Sequence, residues 1–181
     1  MDRRLRLAAG GGAVAVLMLL ASGATADEDG SSSQNTLREQ LTGYQETPLA
    51  LSTTGSGAVR LRIGPSAGTI SYALSYAGLE APVTQAHIHF GARAQTGGIS
   101  AFLCSNLGNG PVGTQACPAA PGMVTGTIGP ADVIGPAGQG IEPGQFDELV
   151  AAIRAGATYV NVHSVKYPVG EIRAQLELED G

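Results

Sequence analysis

The sequence predicts an all-β protein, an antiparallel Greek-key β-sandwich with one short α-helix at about residues 145–155. Three observations predict it. Short segments of alternating polarity recur along the chain, Gly and Pro separate them, and a single stretch carries a helical period instead.

The segments can be justified in order. Leu37 to Thr47 is the first. Ala58 to Ile63 alternates cleanly, with Val59, Leu61 and Ile63 on one face and Arg60 and Arg62 on the other. Thr69 to Ala77 puts Ile70, Tyr72, Leu74 and Tyr76 on one face, and Gly64-Pro65-Ser66-Ala67-Gly68 between the two reads as a hairpin loop. Further strands are predicted at Gln85–Phe90, Ile99–Cys104, Gly122–Ile128, Thr158–His163 and Gly170–Glu177. Phe146, Leu149, Val150 and Ile153 fall at i, i+3, i+4 and i+7, with Gly156 as a C-terminal stop, and they define the helix. The Gly- and Pro-rich stretch 129–144 before it is predicted to be irregular.

The organisation of the chain follows from its ends. Residues 1–26 read as a signal peptide: Arg3, Arg4 and Arg6, then an apolar run from Leu7 to Leu20, then Ala24-Thr25-Ala26 as a cleavage site. An ordinary secretory signal is the expectation, with twin-arginine export the alternative. Residues 27–36 read as a disordered acidic and serine-rich leader, and 37–178 as one domain. No later stretch reaches about 18 apolar residues, so no membrane span is expected in the mature chain. Without Asp2 and the three leading arginines the charge balance is about −7. With no basic patch and little aromatic surface, nucleic acid is excluded as an expected partner. Cys104 and Cys117, an even pair in an exported chain, read as a disulfide, the alternative being a cysteine-containing metal site.

The chemistry-bearing residues are the three histidines. His87 and His89, at i and i+2 on a strand, face the same way roughly 7 Å apart. His163 shares a face with Asn161, and on the last strand Glu171, Arg173 and Gln175 oppose the apolar Ile172, Ala174 and Leu176. If these strands are neighbours, the polar sets share one sheet surface. Two readings then stand. One is a copper or zinc site built from His87, His89 and His163, with Glu171 as a further ligand or as an acceptor that orients an imidazole. The other is a hydrogen-bonded network of the histidines, Asn161, Glu171 and Arg173 that fixes strand register. Glu46 reads as a structural hydrogen-bond acceptor. Ser164 adjoins His163 but faces the opposite way, which argues against a nucleophile–base pair.

Five motifs in order resemble the CHRD domain, named for chordin: Leu-Thr-Gly-Tyr-Gln-Glu-Thr-Pro (41–48), Ala-His-Ile-His-Phe-Gly (86–91), Phe-Asp-Glu-Leu-Val-Ala-Ala-Ile-Arg-Ala-Gly (146–156), Tyr-Val-Asn-Val-His-Ser (159–164) and Pro-Val-Gly-Glu-Ile-Arg-Ala-Gln-Leu (168–176). Ser164 and Ala174 stand where the family usually has Thr and Gly, and the cysteine-bearing insertion around 104–117 is a larger departure. The resemblance implies an extracellular all-β domain, secreted or held in the cell envelope, with no settled activity. The expected function is a non-catalytic binding module for an extracellular protein or glycan. The alternative is a mononuclear metalloprotein, redox-active if it holds copper.

Overall fold

The computed structural model describes residues 35–178. The signal segment, and the leader apart from Asn35 and Thr36, lie outside the described residues; Thr36 already opens the first strand. The strands are β1 (Thr36–Thr42), β2 (Ser56–Ile63), β3 (Ile70–Ala77), β4 (Val83–Phe90), β5 (Gly98–Ser105), β6 (Gly122–Ile128), β7 (Thr158–Ser164) and β8 (Ile172–Leu176), with helix α1 (Phe146–Arg154) between β6 and β7. All eight predicted strands and the helix are present. The first segment is shorter than its sequence pattern suggested. At Gly43 the chain leaves the sheet in a 3₁₀ turn whose Gly43 carbonyl accepts from Glu46 N (3.1 Å) and Leu51 N (2.7 Å).

The expected sandwich of two separate sheets gives way to one antiparallel sheet, ordered β5-β4-β7-β8-β1-β2-β3-β6 and nearly closed into a barrel. Two four-stranded halves meet where β8 and β1 share a single ladder pair, Arg173 opposite Thr42. At the other seam β5 and β6 approach without a ladder. The segment after β5 fills that gap. Gln115 accepts from Ser105 N (2.9 Å) and donates to Thr125 O (3.0 Å), so one side chain and its backbone span both edges. The Cys104–Cys117 disulfide closes this segment onto β5. It covers edge groups that would otherwise stand unpaired.

The interior is aliphatic. Val59, Leu61, Ile63, Ile70, Leu74, Ile88, Val160, Val162, Ile172 and Leu176 are buried within it, as are Phe146, Leu149 and Ile153 from α1. Asp147 and Glu148 in the first turn of α1 and Arg154 in its last complement the helix dipole. Gly156 (φ +65°) supplies the left-handed residue that ends it. Among the described residues no helix is long and apolar enough to cross a membrane.

β7 and β8 are buried on both faces, all the way along. The inward face meets the aliphatic core. The outward face, which carries the polar residues, lies under the segments that follow β1 and β4.

Replacing Cys104 and Cys117 together by serine is expected to lower stability by about 3 kcal/mol through the freed loop. Urea denaturation would show this as a lower midpoint. An unchanged midpoint would mean that Gln115 alone holds the seam.

Candidate metal centre

The ladder between β4, β7 and β8 sets the site. Asn161 lies opposite His87 on one side and Arg173 on the other, while Tyr159 lies opposite His89 and Gln175. Period-two alternation therefore gathers His87, His89, Tyr159, Asn161, His163, Arg173 and Gln175 onto one surface. Two bulges between β4 and β5, around His87 and His89, re-aim these side chains.

The three histidines converge. One ligand-capable nitrogen from each lies within 4.8 Å of the others, and all three residues are buried. Three points no farther apart than that share a centre within about 2.8 Å of each, somewhat outside the ~2.0–2.1 Å of a metal–imidazole bond. His87 Nδ1 and His163 Nε2 are 3.1 Å apart, a hydrogen-bonding distance.

Hydrogen bonds fix how the rings are protonated. His89 Nδ1 is 3.0 Å from Gly97 O and His163 Nδ1 is 3.1 Å from Pro168 O. A carbonyl only accepts, so both rings carry the proton on Nδ1 and a lone pair on Nε2. His163 Nε2 is then an acceptor, which makes His87 Nδ1 the donor to it. His87 Nε2 and His89 Nε2 are left buried with no partner in the protein. Orienting imidazoles through the distal N–H is what backbone carbonyls do around metal ligands.

Burial also keeps the rings neutral. Desolvation pushes His87 down to about 2 and His163 down to about 4. His89 is lowered too, by burial first and by the Arg173 charge as well.

Around the histidines the cover is built from β8 and two loops. Arg173 is 2 % exposed; its guanidinium lies 3.6 Å from the centroid of Tyr159, whose ring stacks on His89 at 4.8 Å. It donates to Thr47 Oγ1, to Gln95 O (2.9 Å) and Ala92 O (3.2 Å), and to Gln175 Oε1 (3.1 Å). One side chain thus ties both covering loops to the sheet. Glu46 accepts from Asn161 Nδ2 at 3.0 Å through both oxygens. Burial raises its carboxyl to about 7 against the opposing pull of Asn161 and Arg173. Gly170 (φ +137°) backs this pair: a Cβ there would lie 2.5 Å from Asn161 Oδ1 and 2.8 Å from Glu46 Oε2.

The predicted residues therefore divide. His87, His89 and His163 come together, Asn161 sits beside them holding Glu46, and Arg173 fastens the cover. Glu171 is drawn elsewhere: its Oε1 accepts from Thr53 Oγ1 (2.7 Å) and Glu80 N (2.8 Å), so it orients no imidazole. Carbonyls of Gly97 and Pro168 take the role expected of it. Tyr159, Thr47 and Gln95 were not anticipated. Tyr159 shares the alternation of Asn161, and Thr47 belongs to the 41–48 motif, so both were legible in principle; Gln95 carries no sequence signal.

The CHRD domain family matches residues 37–176. The chain belongs to the CHRD domain family. No curated protein and no solved structure matches it.

The pKa shifts fix a pH dependence for the metal-free CHRD domain. Histidines held below their ordinary 6.5 take up protons in the unfolded chain but not in the folded one, so stability is full above that pH and is lost as pH falls toward about 4. Glu46 acts oppositely: folding raises its carboxyl from 4.5 to about 7, so its contribution falls as pH rises through that window. With more histidines than the one carboxyl, stability should peak at about pH 7 or above and fall by roughly 1–3 kcal/mol on acidification to about pH 5. Urea denaturation across this range is the check; a flat profile would contradict neutral burial of the rings.

Proposed function

We propose that this CHRD-domain protein is exported and binds a single copper or zinc ion through His87, His89 and His163. One observation carries the reading: three buried imidazole nitrogens lie within 4.8 Å of one another, with the distal N–H of His89 and His163 spent on backbone carbonyls. His87 Nε2 and His89 Nε2 are buried with no protein partner, as are Asn161 Oδ1 and Glu171 Oε2, and at the two nitrogens a metal ion would offset the cost.

The donor set suits the choice of metal. Neutral imidazoles favour copper and zinc over calcium or magnesium, which want oxygen. Cys104 and Cys117 are spent on their disulfide and offer no thiolate. Copper held by this set would make the centre redox-active. Asn161, Glu46 and Arg173 would hold its surroundings rigid. Export is supported by the basic, apolar and small-residue pattern of residues 1–26, by the disulfide, and by membership of a family named for an extracellular protein. The reading as an extracellular interaction module does not need the histidines; its support lies on the other half of the sheet, where arginines stand exposed.

The mature chain, stripped with chelator and titrated calorimetrically with Zn(II) and with Cu(II), is expected to bind one equivalent of metal, and His89→Ala to lose most of that affinity. Because the folded rings are neutral well below 6.5, uptake should stay level down to about pH 5.5, whereas surface histidines would release metal there. No uptake of either metal, or unchanged uptake by His89→Ala, would leave the cluster as a structural network.

A further inference from the structure

The linear sequence shows no basic patch, yet the sheet register assembles one. β1 and β2 pair with Arg38 directly opposite Arg60 and with Thr36 opposite Arg62. By alternation the three arginines share the outward face, and all are exposed. Like charges set opposite each other on neighbouring strands are destabilising. The usual relief is absent: among the described residues, none of the three makes a side-chain hydrogen bond or ion pair. The other cations among the described residues are committed. Arg93 pairs with Glu177, Lys166 pairs with Glu80, Arg154 donates to Asn35 Oδ1 (3.3 Å), and Arg173 is buried. Glu39, beside Arg38 in sequence, alternates to the other side and accepts from Glu177 N (3.4 Å).

The arginines line part of a groove. Arg62 and Arg60 lie opposite Ser71 and Ala73 on β3, which in turn lie opposite Thr127 and Thr125 on β6. Three shallow depressions share walls along this face. The largest, about 550 Å³, runs between Ser56 and Pro121, and the last is bounded by Arg60 and Arg62. The floor is mostly of small and hydroxyl side chains, with Gln40 and the exposed Met123 among them. Glu39 borders the middle depression beside Arg38 and Arg60, and Tyr72 and Tyr76 lie buried beneath the face.

We propose that this face binds a polyanionic polysaccharide, a sugar chain bearing carboxylate or sulfate groups, laid along the groove across Arg38, Arg60 and Arg62. A guanidinium fork matches a carboxylate or sulfate through two parallel hydrogen bonds. Neighbouring strands about 4.8 Å apart, and alternate residues about 7 Å apart, present these forks at spacings suited to anions repeated along a polymer. Serine and threonine hydroxyls on the floor match sugar hydroxyls. A nucleic acid fits less well. Tyr72 and Tyr76 are buried, so the face offers no ring for a base to stack on. This inference is independent of the histidine site.

The test uses the mature chain on immobilised heparin (sulfate) and alginate (carboxylate), with neutral dextran and duplex DNA as comparisons. Retention on heparin, alginate or both at low salt, weakening as salt rises, is expected; which resin retains the protein identifies the anion. Exchanging all three arginines for glutamine should weaken binding about tenfold or more while leaving the thermal transition in place, since it relieves repulsion. Arg60→Lys, which keeps the charge and loses the fork, should weaken it less, and His89→Ala should bind as the parent does. The proposal is overturned if neither polyanion retains the protein, if the triple variant is retained equally, or if DNA is held as tightly as the polysaccharides.

Discussion

The constraint on which the rest depends is the shared register of β4, β7 and β8, in which Asn161 sits opposite both His87 and Arg173. A shift of one residue in β7 would turn Tyr159, Asn161 and His163 into the aliphatic interior and bring Val160 and Val162 out among polar groups. The register is therefore defended from both sides. Inward, Val160, Val162 and Ile172 fill the core; outward, Arg173 and Asn161 find partners only where they now stand.

Burial on both faces has a chemical consequence. Parallel sheets commonly bury both faces with aliphatic side chains, but here one buried face is polar, and a buried polar group without a partner is costly. Loops after β1 and β4 meet most of the demand, with Arg173 clamping both and stacking on Tyr159, which stacks on His89. The demand they leave unmet includes the Nε2 atoms of His87 and His89, and Asn161 Oδ1 beside them. Desolvation keeps those rings neutral, and neutrality is what a metal ligand requires. Rigid, dry surroundings and available lone pairs thus arise from one arrangement.

Much of this was legible in the chain. Period-two alternation in Ala58–Ile63 and Thr69–Ala77 located β2 and β3, and the i, i+3, i+4, i+7 spacing from Phe146 to Ile153 located the helix, because each pattern depends only on neighbouring residues. The same alternation placed His87 with His89, and Asn161 with His163. What escaped is non-local. That eight strands form one nearly closed sheet depends on the Thr42–Arg173 pair and on Gln115 bridging the far seam, contacts between residues distant in sequence. Glu171 shares the polar alternation of its strand, yet Thr53 and the Glu80 amide claim its carboxylate. The arginines are the clearest case: Arg38 and Arg60 form a patch only once β1 and β2 are paired.

The central claim is that burial holds the imidazoles neutral while backbone carbonyls fix the proton on Nδ1 of His89 and His163, leaving the Nε2 lone pairs of His87 and His89 unspent. Long-range proton–nitrogen NMR of the metal-free protein at neutral pH reads this directly. The account predicts three neutral rings, each protonated at Nδ1, with the bare nitrogens shifting when one equivalent of zinc is added. An imidazolium among the three, or a proton on Nε2 of His89 or His163, would contradict it.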